Sequence, residues 1–300
     1  MSNTTWNGSA STDWATGANW STGSVPTTGA HIVIPDTSSI NNCVLDQSRT
    51  IGSLTIEANG TLVGGGFTLN VTSEGDASGG TEHYAVNIDG IISGELNLNI
   101  TTADTTNLDI IPSSGNVHDL TINLGDAARV AKIQTGGPTI TGNLTITSGE
   151  LRTENNALTV TGITQIGDGT GGTPDEATLT CSASTCSFGS GVTADYGLKV
   201  KANGTFAGGT GTHTAGGFYM DQNAAAKATV TSGVMTINSE KTSDNKAWRV
   251  EYGGDTFDNN NGTVKFAFNG FDSRFSMRSE GHANNAFHNL IIHHLGDTRT

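Results

Sequence analysis

The amino-acid sequence predicts an all-β protein coiled as a right-handed parallel β-helix, and three observations support this prediction. The 300 residues include 41 glycines, about twice the average share, while only 14% are charged. Apolar and polar residues alternate in short clusters, and helical spacing is nearly absent. Leu-x-Ile segments recur at intervals of about one solenoid coil. A solenoid also accommodates the length, because it adds core linearly along the rod.

Short strands are predicted wherever the alternation is strict and turn residues flank it. These segments are His31–Pro35, Ser53–Ile56, Phe67–Val71, Leu96–Ile100, Asp119–Leu124, Asn143–Ile146, Ala157–Val160, Val234–Ile237 and Asn289–Ile292. Turn clusters such as Ala58-Asn59-Gly60 separate them. The strands are therefore short and separated by sharp corners.

The repeat defines how the strands stack. Residues 52–72 align with residues 142–161, and Leu-x-Ile cores recur at nearly even intervals at Leu98/Ile100, Leu120/Ile122 and Leu144/Ile146. Each interval has the length of one coil, and coils stacked at roughly 4.8 Å predict on the order of a dozen coils and a rod about 60 Å long. Tandem β-sandwich domains are the alternative, although they favour closer strand spacing and fewer Gly-Gly corners.

The net charge of the chain limits the kinds of partner that it can bind. The chain carries 14 basic and 28 acidic residues, a formal charge of -14, without a Lys/Arg run. Such a field repels phosphate backbones and anionic lipid headgroups. No apolar stretch approaches the roughly 20 residues that span a bilayer, and the N-terminus lacks the pattern of a signal peptide. We expect neither nucleic-acid binding, nor membrane insertion, nor ordinary secretion.

The N-terminal residues resemble the opening module of bacterial surface β-helix proteins. The similarity rests on Thr5-Trp6-Asn7-Gly8, Asp13-Trp14, Asn19-Trp20-Ser21, Val25-Pro26 and the segment His31–Pro35. Proteins of this kind include autotransporter-type adhesins and related extracellular and phage-encoded repeat proteins. The resemblance implies architecture rather than activity.

A second part of the resemblance lies near the other end of the chain. Residues 256–266 are similar to the "nGGTVxF" segment of these proteins, and Phe287, Asn289, Leu290 and Ile292 match their "FxNLxI" strand. We therefore divide the chain into a Trp-rich capping module (1–35), parallel coils (36–244) and an aromatic-rich final region (245–300). The last strand is expected to leave an open edge that a partner chain covers.

Candidate binding residues fall into two groups. Trp6, Trp14 and Trp20 form either a hydrophobic cap, which we favour, or an exposed platform that stacks on sugar rings. Asp258 and Asp272 lie near Arg274 and Arg278 and are carbohydrate-binding candidates, or the carboxylate pair of a polysaccharide-degrading enzyme. A solvated turn is the simpler interpretation of that region, and we assign no catalytic residue.

The sequence gives weaker evidence for a metal site or a disulfide. Asp168, Asp175 and Glu176 offer oxygen ligands for calcium, but their spacing fits no known calcium loop. Cys181 and Cys186 are either a disulfide pair or buried free thiols, and Cys43 stands alone. We expect no cofactor.

These observations and the resemblance together suggest a structural or adhesive protein rather than an enzyme. We expect a phage fibre, tail or head-appendage component at the virion surface that mediates host attachment. Its expected partners are further copies of itself in a homotrimer, other virion proteins and a host surface glycan. The alternatives are a secreted bacterial β-helix adhesin at the cell surface and a polysaccharide-degrading tailspike.

Overall fold

The computed structural model describes residues 3–75, 83–103, 105–110, 115–169, 176–221, 225–243, 246–250, 257–268, 274–277 and 286–294. Parallel strands stack as a β-solenoid of about nine turns, which confirms the predicted fold class. Among these residues the only helical segment is a 3-10 turn at Gly17–Asn19. None of them forms a helix long and apolar enough to cross a membrane.

Short strands follow one another along the chain, as the alternating pattern predicts. In the first half they are β1 (Asn3–Thr5), β2 (His31–Ile34), β3 (Cys43–Val44), β4 (Arg49–Ile51), β5 (Ser53–Ile56), β6 (Thr61–Val63), β7 (Thr68–Val71), β8 (Tyr84–Ile88), β9 (Ile91–Ile100), β10 (Thr106–Ile110), β11 (Gly115–Asn123), β12 (Val130–Gly136), β13 (Thr139–Ile140) and β14 (Leu144–Arg152).

The second half continues the same arrangement. Its strands are β15 (Leu158–Val160), β16 (Thr164–Ile166), β17 (Ala177–Thr180), β18 (Cys186–Phe188), β19 (Leu198–Val200), β20 (Gly204–Ala207), β21 (His213–Ala215), β22 (Phe218–Met220), β23 (Lys227–Thr229), β24 (Val234–Ile237), β25 (Lys246–Val250), β26 (Phe257–Asp258), β27 (Thr263–Phe268), β28 (Arg274–Met277) and β29 (Asn289–His294).

The pairings arrange these strands in three parallel sheets along the rod. Sheet 1 contains β1, β2, β5, β8, β10, β12, the end of β14, β17, β20, β23 and β26. Sheet 2 contains β3, β6, the starts of β9 and β11, β13, β15, β18, β21, β24, β27 and β29. Sheet 3 contains β4, β7, the ends of β9 and β11, the start of β14, β16, β19, β22, β25 and β28.

The long strand β14 bends from sheet 3 into sheet 1 at a glycine. β14 pairs through Leu144–Ile146 in sheet 3 and through Gly149–Arg152 in sheet 1. Gly149 has a φ of 79°, and a Cβ there would lie 2.8 Å from Leu124 Cδ1. Only glycine fits this corner without displacing its neighbour.

The Leu-x-Ile repeat that the sequence reveals is the register of sheet 3. Leu120 pairs with Leu98 in one neighbouring turn and with Leu144 in the other. Ile100, Ile122 and Ile146 form a second stack in the same register, and all six side chains are buried. This part of the predicted repeat is confirmed residue by residue.

The longer alignment and the number of coils need correction. Leu54 lies in sheet 1 whereas Leu144 lies in sheet 3, so the two aligned segments share an inward and outward pattern without sharing a position in the coil. The chain length of a turn also varies, because the turn from Leu54 to its register partner Val86 is much longer than the turn from Ala131 to Leu151. Since many turns exceed the expected length, the chain makes about nine turns rather than a dozen.

Candidate functional site

A row of long polar side chains runs across adjacent turns on the outer face of sheet 3. Gln165 pairs with Lys199, Lys199 pairs with Tyr219, and Tyr219 pairs with Arg249. Each lies at the centre of a strand triplet whose flanking residues are buried in the core. Since side chains alternate across a strand, the row must point outward, with neighbours roughly 4.8 Å apart.

Three members of this row, Lys199, Tyr219 and Arg249, form one wall of a recess of about 150 Å³, which we call the cationic recess. Its lining residues are Asp195, Tyr196, Lys199, Lys201, Tyr219, Lys241 and Arg249. A second recess of about 210 Å³, lined by Asn143, Thr145, Ile163, Gln165 and Lys199, lies along the same sheet. Lys199 lines both, so the two recesses adjoin along the rod axis.

Two stacked tyrosines support the cations of the recess. The rings of Tyr196 and Tyr219 lie 5.4 Å apart at an interplanar angle of 29°. Lys241 Nζ lies 5.5 Å from the Tyr196 ring, and Lys201 Nζ lies 5.1 Å from the Tyr219 ring. The Arg249 guanidinium carbon lies 5.7 Å from the Tyr219 ring. Cation–π attraction therefore holds three positive charges at fixed places.

Two carboxylates lie beside the lysines of the recess. Asp195 Oδ2 accepts a hydrogen bond from Lys199 Nζ at 2.7 Å, and Asp195 Oδ1 lies 3.6 Å from Lys241 Nζ. Asp221 Oδ2 lies 3.5 Å from Lys201 Nζ. Among the residues that the structure describes, the recess gathers four basic side chains, Lys199, Lys201, Lys241 and Arg249, on a chain whose formal charge is -14.

Asp195 stays ionised in this setting. Its partial burial raises the pKa of the carboxyl group. Hydrogen bonds from Lys199 and from the Tyr196 amide, together with the charges of Lys199 and Lys241, lower the pKa by more, so it lies below its usual value. The carboxylate therefore acts as a fixed anchor for two lysines rather than as a proton donor or acceptor near neutral pH.

The three N-terminal tryptophans are not an exposed sugar platform. Trp6, Trp14 and Trp20 are at most 1% exposed, and they pack edge to face with centroid distances of 5.0 and 4.6 Å. Trp6 Nε1 donates to Asn41 O at 2.7 Å, and Trp20 Nε1 donates to Trp14 O at 2.8 Å. Because no ring face is open, the platform interpretation is wrong for this fold. The capping module remains a prediction.

Other predicted site residues are dispersed. Asp258 is exposed and its Oδ1 accepts the Asn260 amide at 2.8 Å, which is a local turn of the kind expected for a solvated corner. Asp272 lies outside the described residues, so the carboxylate pair stays a prediction. Asp168 and Glu176 are exposed, and Asp175 lies outside the described residues. The calcium site therefore also remains a prediction.

The two C-terminal segments that carry the resemblance pair with each other. β27 pairs with β29 in register, with Thr263 opposite Asn289 and Phe266 opposite Ile292. In the described part of the chain β29 has no second strand neighbour, and Leu290, Ile291 and Ile292 are 40, 46 and 68% exposed. The open edge is confirmed for the described residues, whereas its cover by a partner chain stays a prediction.

Sequence reasoning missed the cationic recess, although a signal for it exists. The triplets Leu198–Val200, Phe218–Met220 and Trp248–Val250 each place one cationic or aromatic residue between two core residues. Aligning triplets on their inward positions would have shown Lys199, Tyr219 and Arg249 as one outward column. The turn lengths between them are irregular, which hides the column from a search at a fixed period.

A family model described as a domain of unknown function, DUF8693, matches residues 5–82. This segment contains the buried tryptophan cluster and ends before the cationic recess. No curated protein and no solved structure matches the chain. The geometry of the recess is therefore the main basis for a functional argument.

Proposed function

We propose that this protein is a non-enzymatic adhesive β-solenoid that binds an acidic glycan along the outer face of sheet 3. The observation that carries the proposal is the cationic recess, in which Lys201, Lys241 and Arg249 are held against tyrosine rings. Cations that are ordered before binding lose little conformational entropy when an anion arrives. They therefore suit recognition of the carboxylate or sulfate group of a sugar.

The shape of the face favours a polymer over a small ion. The cationic recess has the volume of about one sugar ring, and the second recess continues beside it with amide and hydroxyl groups from Asn143, Thr145 and Gln165. Amides and hydroxyls both donate and accept hydrogen bonds, as sugar hydroxyls require. A glycan chain lying along the rod would place its acidic group among the cations and a neighbouring unit in the second recess.

Surface display is the second part of the proposal. We place the protein on a phage virion, as a fibre, tail or head-appendage component that attaches to a host glycan. The support is the similarity of both termini to bacterial and phage surface β-helix proteins. The exposed edge at Leu290 to Ile292 supports assembly with further copies or with another particle protein.

Glycan binding is tested with a panel of acidic polysaccharides and their carboxyl-reduced, neutral counterparts. We expect the wild-type chain to bind at least one acidic polymer and not its reduced form, with an affinity that falls as salt rises. The double variant Lys201→Gln/Arg249→Gln removes two cations and should weaken binding at least tenfold. Isothermal titration calorimetry measures both effects.

The matched control is a double variant that removes the same amount of positive charge from outward positions outside the recess. Lys132→Gln/Lys265→Gln removes two cations from sheets 1 and 2, away from the recess. It should retain wild-type affinity if the recess is the site. Equal weakening by both double variants would show a general charge effect, and an equal affinity for acidic and neutral polymers would contradict the proposal.

Localisation requires a separate experiment. Mass spectrometry of purified phage particles and of cell-envelope fractions should find the chain in the particles. Detection in the envelope alone would favour the bacterial adhesin. Light scattering of the purified chain should give the mass of a trimer, and a stable monomer would contradict that oligomeric state.

A further inference from the structure

Inside the solenoid, two cysteines and a histidine converge in the core. Cys186 in β18 and His213 in β21 are register partners in successive turns of sheet 2. Cys181 follows β17 directly and approaches Cys186 across a tight turn. One potential ligand atom from each residue lies within 4.8 Å of the others. All three side chains are at most 1% exposed.

The imidazole is oriented as a metal-binding histidine would be. His213 Nε2 donates to Gly208 O at 2.6 Å, which leaves the lone pair on Nδ1. Nδ1 is buried and has no hydrogen-bond partner in the described part of the protein. A histidine that ligates a metal through one nitrogen commonly donates from the other to a backbone carbonyl. An unsatisfied buried acceptor is otherwise costly.

We propose that Cys181, Cys186 and His213 form a structural site for a thiophilic metal ion, Zn²⁺ in the first instance. Two thiolates and a neutral imidazole give a zinc complex with no net charge, which suits a core that excludes water. Three protein ligands leave one position of the zinc tetrahedron for a further ligand. Sulfur and imidazole ligands also disfavour calcium and magnesium, which prefer oxygen.

The backbone around Cys181 is restrained, which holds its sulfur near the other two ligands. The Cys181 carbonyl accepts hydrogen bonds from the Ser184 amide at 2.9 Å and from Thr153 Oγ1 at 2.9 Å. The Cys181 amide donates to Ala207 O at 2.9 Å, in the next turn. Hydrogen bonds to a metal-binding residue help to orient its ligand group. The site therefore links strands β17, β18 and β21 of consecutive turns.

Metal binding at this cluster requires both cysteines as thiolates, so Cys181 and Cys186 each lose a proton when the ion binds.

The test begins with the full chain, unfolded in denaturant with reductant and refolded without oxygen in one equivalent of Zn²⁺ or Co²⁺. After gel filtration we expect one metal ion per chain by elemental analysis. The cobalt form should show the thiolate-to-metal charge-transfer band and the visible bands of a tetrahedral site. Zinc should raise the unfolding midpoint, because it binds the folded state.

Three variants identify the ligands. Cys186→Ser and His213→Gln should each lose the metal and the zinc-dependent rise in stability. Cys43→Ala is the matched control, since Cys43 is equally buried but stands apart from the other two thiols. It should keep one metal ion per chain. If a ligand variant fails to fold, the cobalt spectra of the wild type and Cys43→Ala still report whether thiolates bind the ion.

Two results would overturn the proposal. In one, the refolded wild-type chain retains no metal while all three thiols react with a thiol reagent after unfolding. In the other, mass spectrometry of chain kept under reductant shows a Cys181–Cys186 disulfide, which would assign these residues to a covalent crosslink instead.

Discussion

The earlier and later turns of the solenoid use the same three sheets but fill them differently. In the earlier turns the sheet 3 stack consists of Leu98, Leu120 and Leu144, and the outward residue between the stacks is Asn or Thr. In the later turns the inward positions hold Phe218 and Trp248, and the outward ones hold Lys, Tyr and Arg. The backbone is common to both regions, so the chemistry is set by the residues placed on it.

The comparison shows where the residues of the two proposed sites lie. Stacked aliphatic side chains and neutral outward rows suit a uniform rod, in which each turn contacts only its neighbours. Larger inward aromatic residues accompany both the cationic recess and the Cys/His cluster in the later turns. The cationic recess and the Cys/His cluster thus lie in the later turns, and the second recess extends from Lys199 to Asn143 and Thr145 of the earlier turns.

The largest expected loss of stability comes from a substitution in the aromatic core of the later turns. Trp248 is fully buried, stacks on Phe218 at 4.3 Å and meets Phe257 and Phe287 edge to face at 5.9 and 5.3 Å. Trp248→Ala should lower the free energy of unfolding by about 4 kcal/mol, because it leaves a large cavity. Urea denaturation followed by circular dichroism measures the loss.

Trp248→Phe is the control for this change. It keeps an aromatic ring on Phe218 and removes an indole N–H that has no partner among the described residues. Its loss should be clearly smaller than that of Trp248→Ala. Equal losses in the two variants would mean that ring packing does not stabilise the later turns.

A smaller effect is expected in the aliphatic stack of the earlier turns. Leu120→Ala removes the central member of the Leu98, Leu120 and Leu144 stack and should cost about 3 kcal/mol. Thr121→Ala changes the adjacent outward residue and should stay within about 0.5 kcal/mol of the wild type. Urea denaturation of both variants gives the comparison.

The two core variants also test whether the regions are independent. In a solenoid the stability of distant turns adds, so Leu120→Ala and Trp248→Ala combined should lose about the sum of their separate effects. A combined loss far from that sum would show coupling between the regions and would contradict the comparison.

The smallest expected loss of stability comes from a substitution on the outer face of the later turns. Asp195→Asn removes the carboxylate that hydrogen-bonds to Lys199 and should cost about 0.5 kcal/mol at pH 7, as expected for a partly exposed pair. The pKa of Asp195 is lowered in the folded protein. Its contribution is therefore complete above the unfolded pKa of about 4 and disappears as the pH falls through the lower folded value.

Denaturation series at pH 7 and under strongly acidic conditions measure this dependence. The difference between wild type and Asp195→Asn should be present at pH 7 and shrink towards zero in acid. Thr121→Ala carries no titratable change and should differ from wild type equally under both conditions. If the difference in unfolding free energy between wild type and Asp195→Asn grew on acidification, it would contradict a lowered pKa of Asp195 in the folded protein.

Much of the strand pattern follows from local sequence. Ser53–Ile56 and Val234–Ile237 are strands with the predicted bounds, because β-branched and apolar residues alternate there between turn clusters. Strands such as Gly204–Ala207 and His213–Ala215 were not predicted, since small and polar residues give no alternating signal. There, pairing with the neighbouring turns defines the strand.

The candidate sites could not be predicted to the same extent. Trp6, Trp14 and Trp20 are sugar-binding candidates by residue type. They are buried, however, so their rings cannot stack on a sugar. The turn from Lys199 to Tyr219 is shorter than the turn from Tyr219 to Arg249, so only register reveals that the three form one column. Cys186 and His213 are likewise joined by register across turns.

The sequence by itself indicated a parallel β-solenoid over tandem β-sandwich domains, because inward apolar residues and glycine corners recur along the chain and a Leu-x-Ile repeat marks three neighbouring coils. Only the tertiary structure decided which residues of different coils meet. Turn lengths vary along the rod, so the position of a residue along the chain does not fix its neighbour in the next turn. Parallel hydrogen bonding fixes that neighbour, and the cationic recess and the Cys/His cluster both depend on it.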